Sequence, residues 1–114
     1  MIPKIIAGSS HPVLAKKIAS YLKTELIDSD MEYFKNGEIR PIVRESVRGS
    51  DILIVQTGCE SEIHSINDHI MEVVLLASTL KSAQAGNIIL AMPNYPYARQ
   101  DKKENQEFQY KLLN

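Results

Sequence analysis

The stretch Ile52-Leu53-Ile54-Val55, which follows the turn-rich Arg48-Gly49-Ser50-Asp51, and its later counterpart Ile88-Ile89-Leu90-Ala91 decide the fold. A continuous apolar, β-branched run bounded by turn residues suits a central parallel strand covered on both faces. Between the two runs, Ile70, Val73, Val74, Ala77 and Leu80 recur at helical spacing until Gly86, and either Ser65 or Asn67 can cap that helix. Strand, helix and strand in this order imply a right-handed crossover and hence a parallel sheet. The expected fold class is α/β, an open and mostly parallel sheet with flanking helices.

Working outward, Lys4 to Ala7 reads as another short strand, closed by Gly8-Ser9-Ser10. Leu14, Ile18 and Leu22 then recur four apart with Ala15 and Ala19 beside them, which predicts a helix. Ser10 is the expected N-cap, and Pro12 sits near the first helical position, where its missing N–H costs nothing. From Leu26 to Val43 the pattern predicts one or two strands around a turn at Lys35-Asn36-Gly37. Pro41 inside the second piece marks an edge strand, because proline cannot donate to a ladder. The tail from Glu104 to Asn114 has modest apolar content and reads as a short helix or a frayed end.

A chain of 114 residues with 44% hydrophobic and 24% charged side chains fits one domain with a core that needs no staples. The formal net charge of -1 offers no bulk attraction to nucleic acid or an anionic membrane. Any phosphate binding must therefore come from a local cluster. The single cysteine, Cys59, excludes an internal disulfide and fits a reducing compartment, with cytoplasm the expected location. No apolar run approaches membrane-spanning length, and Met1 to Ala7 lacks the pattern of a leader peptide.

Chemistry-bearing residues gather in two places. After Met92 the chain leaves a strand end through Pro93-Asn94-Tyr95-Pro96-Tyr97 and enters Ala98-Arg99-Gln100-Asp101-Lys102-Lys103. Ligands of open α/β sheets bind outside the carboxyl ends of the strands, so position nominates this loop. Arg99, Lys102 and Lys103 can meet phosphates while Asp101 holds magnesium, directly or through water. The alternative is a solvated basic turn. Phe34, Asn36 and Glu38 alternate, so an extended segment would project all three from one side as an aromatic face, an amide and a carboxylate fit for a purine. The alternative there is a half-buried Phe beside a polar turn. Gly8-Ser9-Ser10 can hold an anion at a helix N-terminus or simply cap it, since it lacks the phosphate-loop signature. His11 reads as a surface or capping residue, His64 and His69 are poorly spaced for a shared metal, and Cys59 reads as inert.

Five ordered segments together resemble ribose-phosphate pyrophosphokinase. They are Gly8-Ser9-Ser10-His11, Phe34-x-Asn36-Gly37-Glu38, Glu45-Ser46-Val47-Arg48-Gly49, Asn67-Asp68-x-x-Met71-Glu72 and Pro96-Tyr97-Ala98-Arg99-Gln100-Asp101-Lys102-Lys103. The resemblance runs from Lys4 to Lys103. It divides the chain into a family-like N-terminal domain over residues 1–103 and a divergent tail over 104–114. The link Glu60 to Ile66 is longer than its counterpart in the family.

The family is similar to two stacked phosphoribosyltransferase-like α/β domains, of which this chain matches the first. It transfers pyrophosphate from magnesium-bound ATP to the anomeric hydroxyl of ribose 5-phosphate. By resemblance, Phe34, Asn36 and Glu38 contact adenine across a subunit interface, while Arg99, Gln100, Asp101, Lys102 and Lys103 serve ATP from the other subunit. The implied ligands are Mg2+ with ATP, and the implied partners are further subunits in a homo-oligomer or a hetero-oligomer with full-length enzyme. The resemblance further implies a truncated product that carries part of an ATP site without turnover of its own, or alternatively a non-catalytic regulatory subunit that joins full-length enzyme oligomers. A truncated α/β domain is also expected to expose apolar surface.

Overall fold

In the computed structural model, residues 2–94, 97 and 110–112 are described. The elements run β1 (Lys4–Ala7), α1 (Pro12–Leu22), β2 (Ser29–Tyr33), β3 (Ile39–Val43), β4 (Ile52–Val55), α2 (Ile66–Ser82), β5 (Ile88–Ala91) and β6 (Tyr110–Leu112). The main sheet has the order β1-β4-β5-β6, and β2 and β3 form a separate antiparallel hairpin. β4 pairs in parallel with β1 on one side (Ile5 opposite Leu53) and with β5 on the other (Leu53 opposite Ile89), so it is the central strand its apolar run predicts.

Side chains alternate across this sheet because successive strand residues point to opposite faces. Ile6, Ile52, Ile54, Ile88 and Leu90 enter the larger core with Val73, Leu76 and Leu80 of α2, and Met31 and Val43 of the hairpin pack against its rim. Ile5, Val55 and Ala91 face the other way, onto Ala15 and Ala19 of α1. Each fully buried Ile or Leu contributes on the order of 1.5–3 kcal/mol, so the α2 face carries most of the hydrophobic stabilisation. The α1 face is thinner. An open apolar groove of about 580 Å³ runs along it between Leu14, Ile18, Tyr21 and Leu22 of the helix and Leu53 of the sheet.

Local sequence explains most boundaries. Ser65 caps α2 through a reciprocal pair: its hydroxyl accepts from the Asp68 N–H, and the Asp68 carboxylate accepts from the Ser65 N–H, both at 3.1 Å. Of the two candidate caps, Ser65 therefore takes the position. At α1 the expected cap is corrected. His11 Nδ1 accepts from the Leu14 N–H at 3.1 Å, with Pro12 in the first turn as expected, because the Ser10 hydroxyl is committed elsewhere. The hairpin turns at Lys35-Asn36-Gly37, where Gly37 has φ +94°, a region that favours glycine.

The tail is neither a helix nor a frayed end at residues 110–112. It forms β6, antiparallel to β5, with Ala91 opposite Tyr110 and Ile89 opposite Leu112. The physical reason is the unpaired backbone on the outer edge of β5, which offers a ladder to any extended segment able to reach it. Among the described residues, no helix is long and apolar enough to cross a membrane.

Candidate functional site

The carboxyl ends of β1 and β4, the N-terminal half of α2 and the hairpin converge on a buried polar cluster. Gln56, His69 and Glu72 are each 0% exposed. Burying such groups is costly unless their hydrogen bonds are met, and here they are. Glu72 Oε1 accepts from the Ser9 N–H at 2.8 Å and from Gln56 Nε2 at 2.9 Å, while Oε2 accepts from the hydroxyls of Ser9 and Tyr33. Gln56 Oε1 accepts from the Ser10 N–H at 3.1 Å and from its hydroxyl at 2.6 Å, and Gln56 Nε2 also donates to the His69 carbonyl. The Ser10 hydroxyl in turn accepts from the Thr57 N–H.

This network decides between the two readings of Gly8-Ser9-Ser10. The Gly8 N–H donates to the Val55 carbonyl and those of Ser9 and Ser10 go to Glu72 and Gln56, so the anion this loop holds is the protein's own carboxylate. Gly8 itself is required by close approach, since a Cβ there would lie 2.3 Å from Gln56 Oε1.

Two histidines extend the cluster toward the hairpin. His69 Nδ1 lies 2.7 Å from the Cys59 carbonyl, which fixes that nitrogen as the donor, and Nε2 faces the Ser61 hydroxyl at 3.4 Å. His64 stacks on Tyr33 with ring centroids 3.8 Å apart and planes 9° from parallel, and it meets His69 edge-on at 6.2 Å. Burial, followed by the hydrogen bond to Glu72 and that carboxylate's charge, pushes the Tyr33 hydroxyl well above its usual pKa. Tyr33 is therefore a donor throughout the physiological range.

At the hairpin tip the structure brings Phe34, Asn36 and Glu38 together, although in a turn rather than on one side of an extended strand. The Phe34 N–H donates to the Glu38 carbonyl at 2.9 Å and the Gly37 N–H returns to the Phe34 carbonyl at 3.0 Å. Asn36 Nδ2 donates to Glu38 Oε1 at 2.6 Å, and Asn36 Oδ1 accepts from the Glu38 N–H at 3.1 Å. Phe34 stays 44% exposed, with the Arg40 guanidinium 6.0 Å above its ring and Arg40 itself paired to Glu32. A partly exposed aromatic ring, an amide and a carboxylate held to each other thus share one tip. Arg99, Gln100, Asp101, Lys102 and Lys103 lie outside the described residues. Tyr97, just before them, donates to Asn67 Oδ1 in the first turn of α2 at 2.5 Å.

Sequence reasoning quoted Glu72 only as part of a matching segment and singled out neither Tyr33 nor Gln56. The available signal was a polar residue directly following the first central apolar run, Gln56 after Val55, and a carboxylate beside the helical core stripe, Glu72 before Val73.

The architecture is that of an open, mostly parallel α/β domain whose strand ends, helix N-terminus and projecting hairpin converge at one edge. The particular family follows from comparison: residues 3–112 match the family model described as the N-terminal domain of ribose phosphate pyrophosphokinase, and the chain belongs to that family. It is 43% identical over 100 residues to a ribose-phosphate pyrophosphokinase of Clostridium acetobutylicum, covering 88% of this chain and 30% of the relative. It is 44% identical over 101 residues to ribose-phosphate pyrophosphokinase 2 of Schizosaccharomyces pombe, covering 89% and 30%. The crystal structure of phosphoribosylpyrophosphate synthetase from Mycobacterium smegmatis matches with a TM-score of 0.78 and 35% identity, over 91% of this chain and 34% of that one. The chain spans about a third of the length of the relatives it matches.

Proposed function

We propose that this chain contributes ATP-binding groups to a ribose-phosphate pyrophosphokinase site, in which pyrophosphate passes from Mg-ATP to ribose 5-phosphate. The hairpin tip receives adenine: Phe34 supplies a stacking face, and Asn36 and Glu38 supply an amide and a carboxylate for the base edge. Arg99, Gln100, Asp101, Lys102 and Lys103 serve the phosphates and their magnesium from a neighbouring subunit. Magnesium enters with ATP as part of the substrate complex. Phosphoryl-type transfer depends on positioning and charge stabilisation more than on covalent chemistry, which suits a domain whose contribution is a set of oriented side chains.

The observation that carries this reading is the exposed Phe34 ring at a tip where Asn36 and Glu38 are already hydrogen-bonded to each other. Little ordering entropy is then lost when a flat base arrives. The test is calorimetric titration of Mg-ATP into the chain. Saturable binding is expected, weakened about tenfold or more by Phe34→Ala, since base stacking on an aromatic is worth roughly 1–3 kcal/mol. Affinity is also expected to rise with protein concentration, because tip and loop belong to different subunits. Absence of binding at millimolar Mg-ATP, or binding indifferent to Phe34→Ala, refutes the proposal.

A further inference from the structure

A two-stranded ribbon is marginal on its own, and among the described residues the β2–β3 hairpin is paired with no third strand. Its base is held by Met31 and Val43 against the larger core. Its far end, where Phe34, Asn36 and Glu38 sit, extends past the last ladder pair, Tyr33 with Ile39. Something must hold that end still if the tip is to present a prepared surface.

Tyr33 is placed to do so. As the final residue of β2 it points to the face opposite Phe34, because neighbouring strand residues alternate. Its hydroxyl donates to Glu72, and its ring lies flat on His64. Both supports are themselves fixed. Glu72 is bound by the Ser9 N–H, the Ser9 hydroxyl and Gln56 at the end of the main sheet. His64 closes a small loop with Ser61, donating its N–H to the Ser61 hydroxyl at 3.1 Å and accepting the Ser61 N–H at 2.9 Å. A continuous path of buried or stacked groups therefore runs from the ends of β1 and β4 through Glu72 to the residue next to Phe34.

The geometry points to Tyr33, braced by His64, as the positioning residue that orients the hairpin tip for nucleotide binding. Neither residue touches the nucleotide. Turning Tyr33 inward turns Phe34 outward, and the stack limits rotation of the ribbon about its own axis. The inference rests on the proposed adenine contact of the tip, and the test separates the two.

Tyr33→Ala, Tyr33→Phe, His64→Ala, His64→Phe and Phe34→Ala are compared in the full chain by amide hydrogen exchange and by Mg-ATP titration. Loss of the stack is expected to speed exchange of the Phe34 N–H by about two- to tenfold in His64→Ala, the equivalent of the roughly 0.5–1.5 kcal/mol of an aromatic pair. His64→Phe, which keeps a flat ring, restores slow exchange. Mg-ATP affinity falls in parallel in Tyr33→Ala and His64→Ala and returns in His64→Phe, a rescue that a general loss of stability would not produce. Should Tyr33→Ala fail to fold, Tyr33→Phe and the His64 pair carry the same comparison. If Phe34→Ala weakens Mg-ATP while the Tyr33 and His64 variants do not, the positioning role is overturned and the adenine contact stands. If Phe34→Ala leaves affinity unchanged, the adenine contact fails and takes the positioning role with it.

Discussion

Substituting Gly8 by alanine is expected to cost far more than its single methyl group suggests. The position is not one of the positive-φ glycines, so alanine suits its backbone. The difficulty is space: the new Cβ would sit 2.3, 2.4 and 2.5 Å from three side-chain atoms of Gln56. Gln56 is completely buried and tied to Ser10, His69 and Glu72, so it cannot swing aside without breaking bonds. Overpacking costs about 1–3 kcal/mol, and leaving buried polar partners unmet costs about 1–3 kcal/mol for each group. A total of about 2–6 kcal/mol is a large part of the 5–15 kcal/mol typical of a native domain. Urea unfolding of Gly8→Ala, Gln56→Ala and the double variant measures the coupling. With Gln56 already shortened, Gly8→Ala should be neutral, or stabilising by about 0.4–1 kcal/mol through loss of unfolded-state freedom. If Gly8→Ala costs the same in both backgrounds, the clash with Gln56 is not the cause.

Three further outcomes are expected. Ser65→Ala removes the α2 cap and should lower stability by about 1 kcal/mol in urea unfolding, with a loss near zero counting against the reciprocal cap. The raised pKa of Tyr33 means the folded state keeps a proton that the unfolded chain releases, so its contribution is complete below about pH 10 and fades as pH rises further. Wild type should thus lose stability more steeply than Tyr33→Phe above about pH 10, and parallel alkaline profiles would contradict the assignment. Arg44 bridges Asp28 and Asp30 on an exposed edge of the hairpin, where water and salt screen the pair, so Arg44→Ala should leave thermal stability almost unchanged. A larger loss would show that this pair of bridges organises the hairpin.

The main sheet was legible because its information is local. Ile52 to Val55 and Ile88 to Ala91 are short, apolar and bounded by turns, and the helical stripe between them leaves one handedness for the connection. The hairpin was legible for the same reason, from Asn36-Gly37 and Pro41. The cap at α1 was misassigned to Ser10 because its hydroxyl is claimed by Gln56, 46 residues away, a competition that local preference cannot register. The buried cluster shares that cause. Ser9 and Glu72 are 63 residues apart and Tyr33 and Glu72 are 39 apart, so a carboxylate in a helix reads as solvent-facing until the fold encloses it. β6 was missed because three residues carry almost no periodicity, and their pairing depends on the free edge of β5. The cationic run from Arg99 to Lys103 lies outside the described residues, and its chemistry alone left a solvated basic turn open, so its part in the site rests on the resemblance.

Pro41 has a consequence for how two molecules can meet. It stands opposite Met31, and the flanking positions are the hydrogen-bonded ones, as the contacts from Arg44 to Asp28 and from Phe34 to Glu38 indicate. The proline nitrogen therefore faces away from β2, so the hairpin loses no internal bond. Its outer rim instead lacks a donor midway along β3, between those of Ile39 and Val43. An incoming strand laid along that rim would find a gap where its own carbonyl needs a proton. Strand addition along that rim is disfavoured, so any chain meeting it would have to be recognised by side-chain shape and charge.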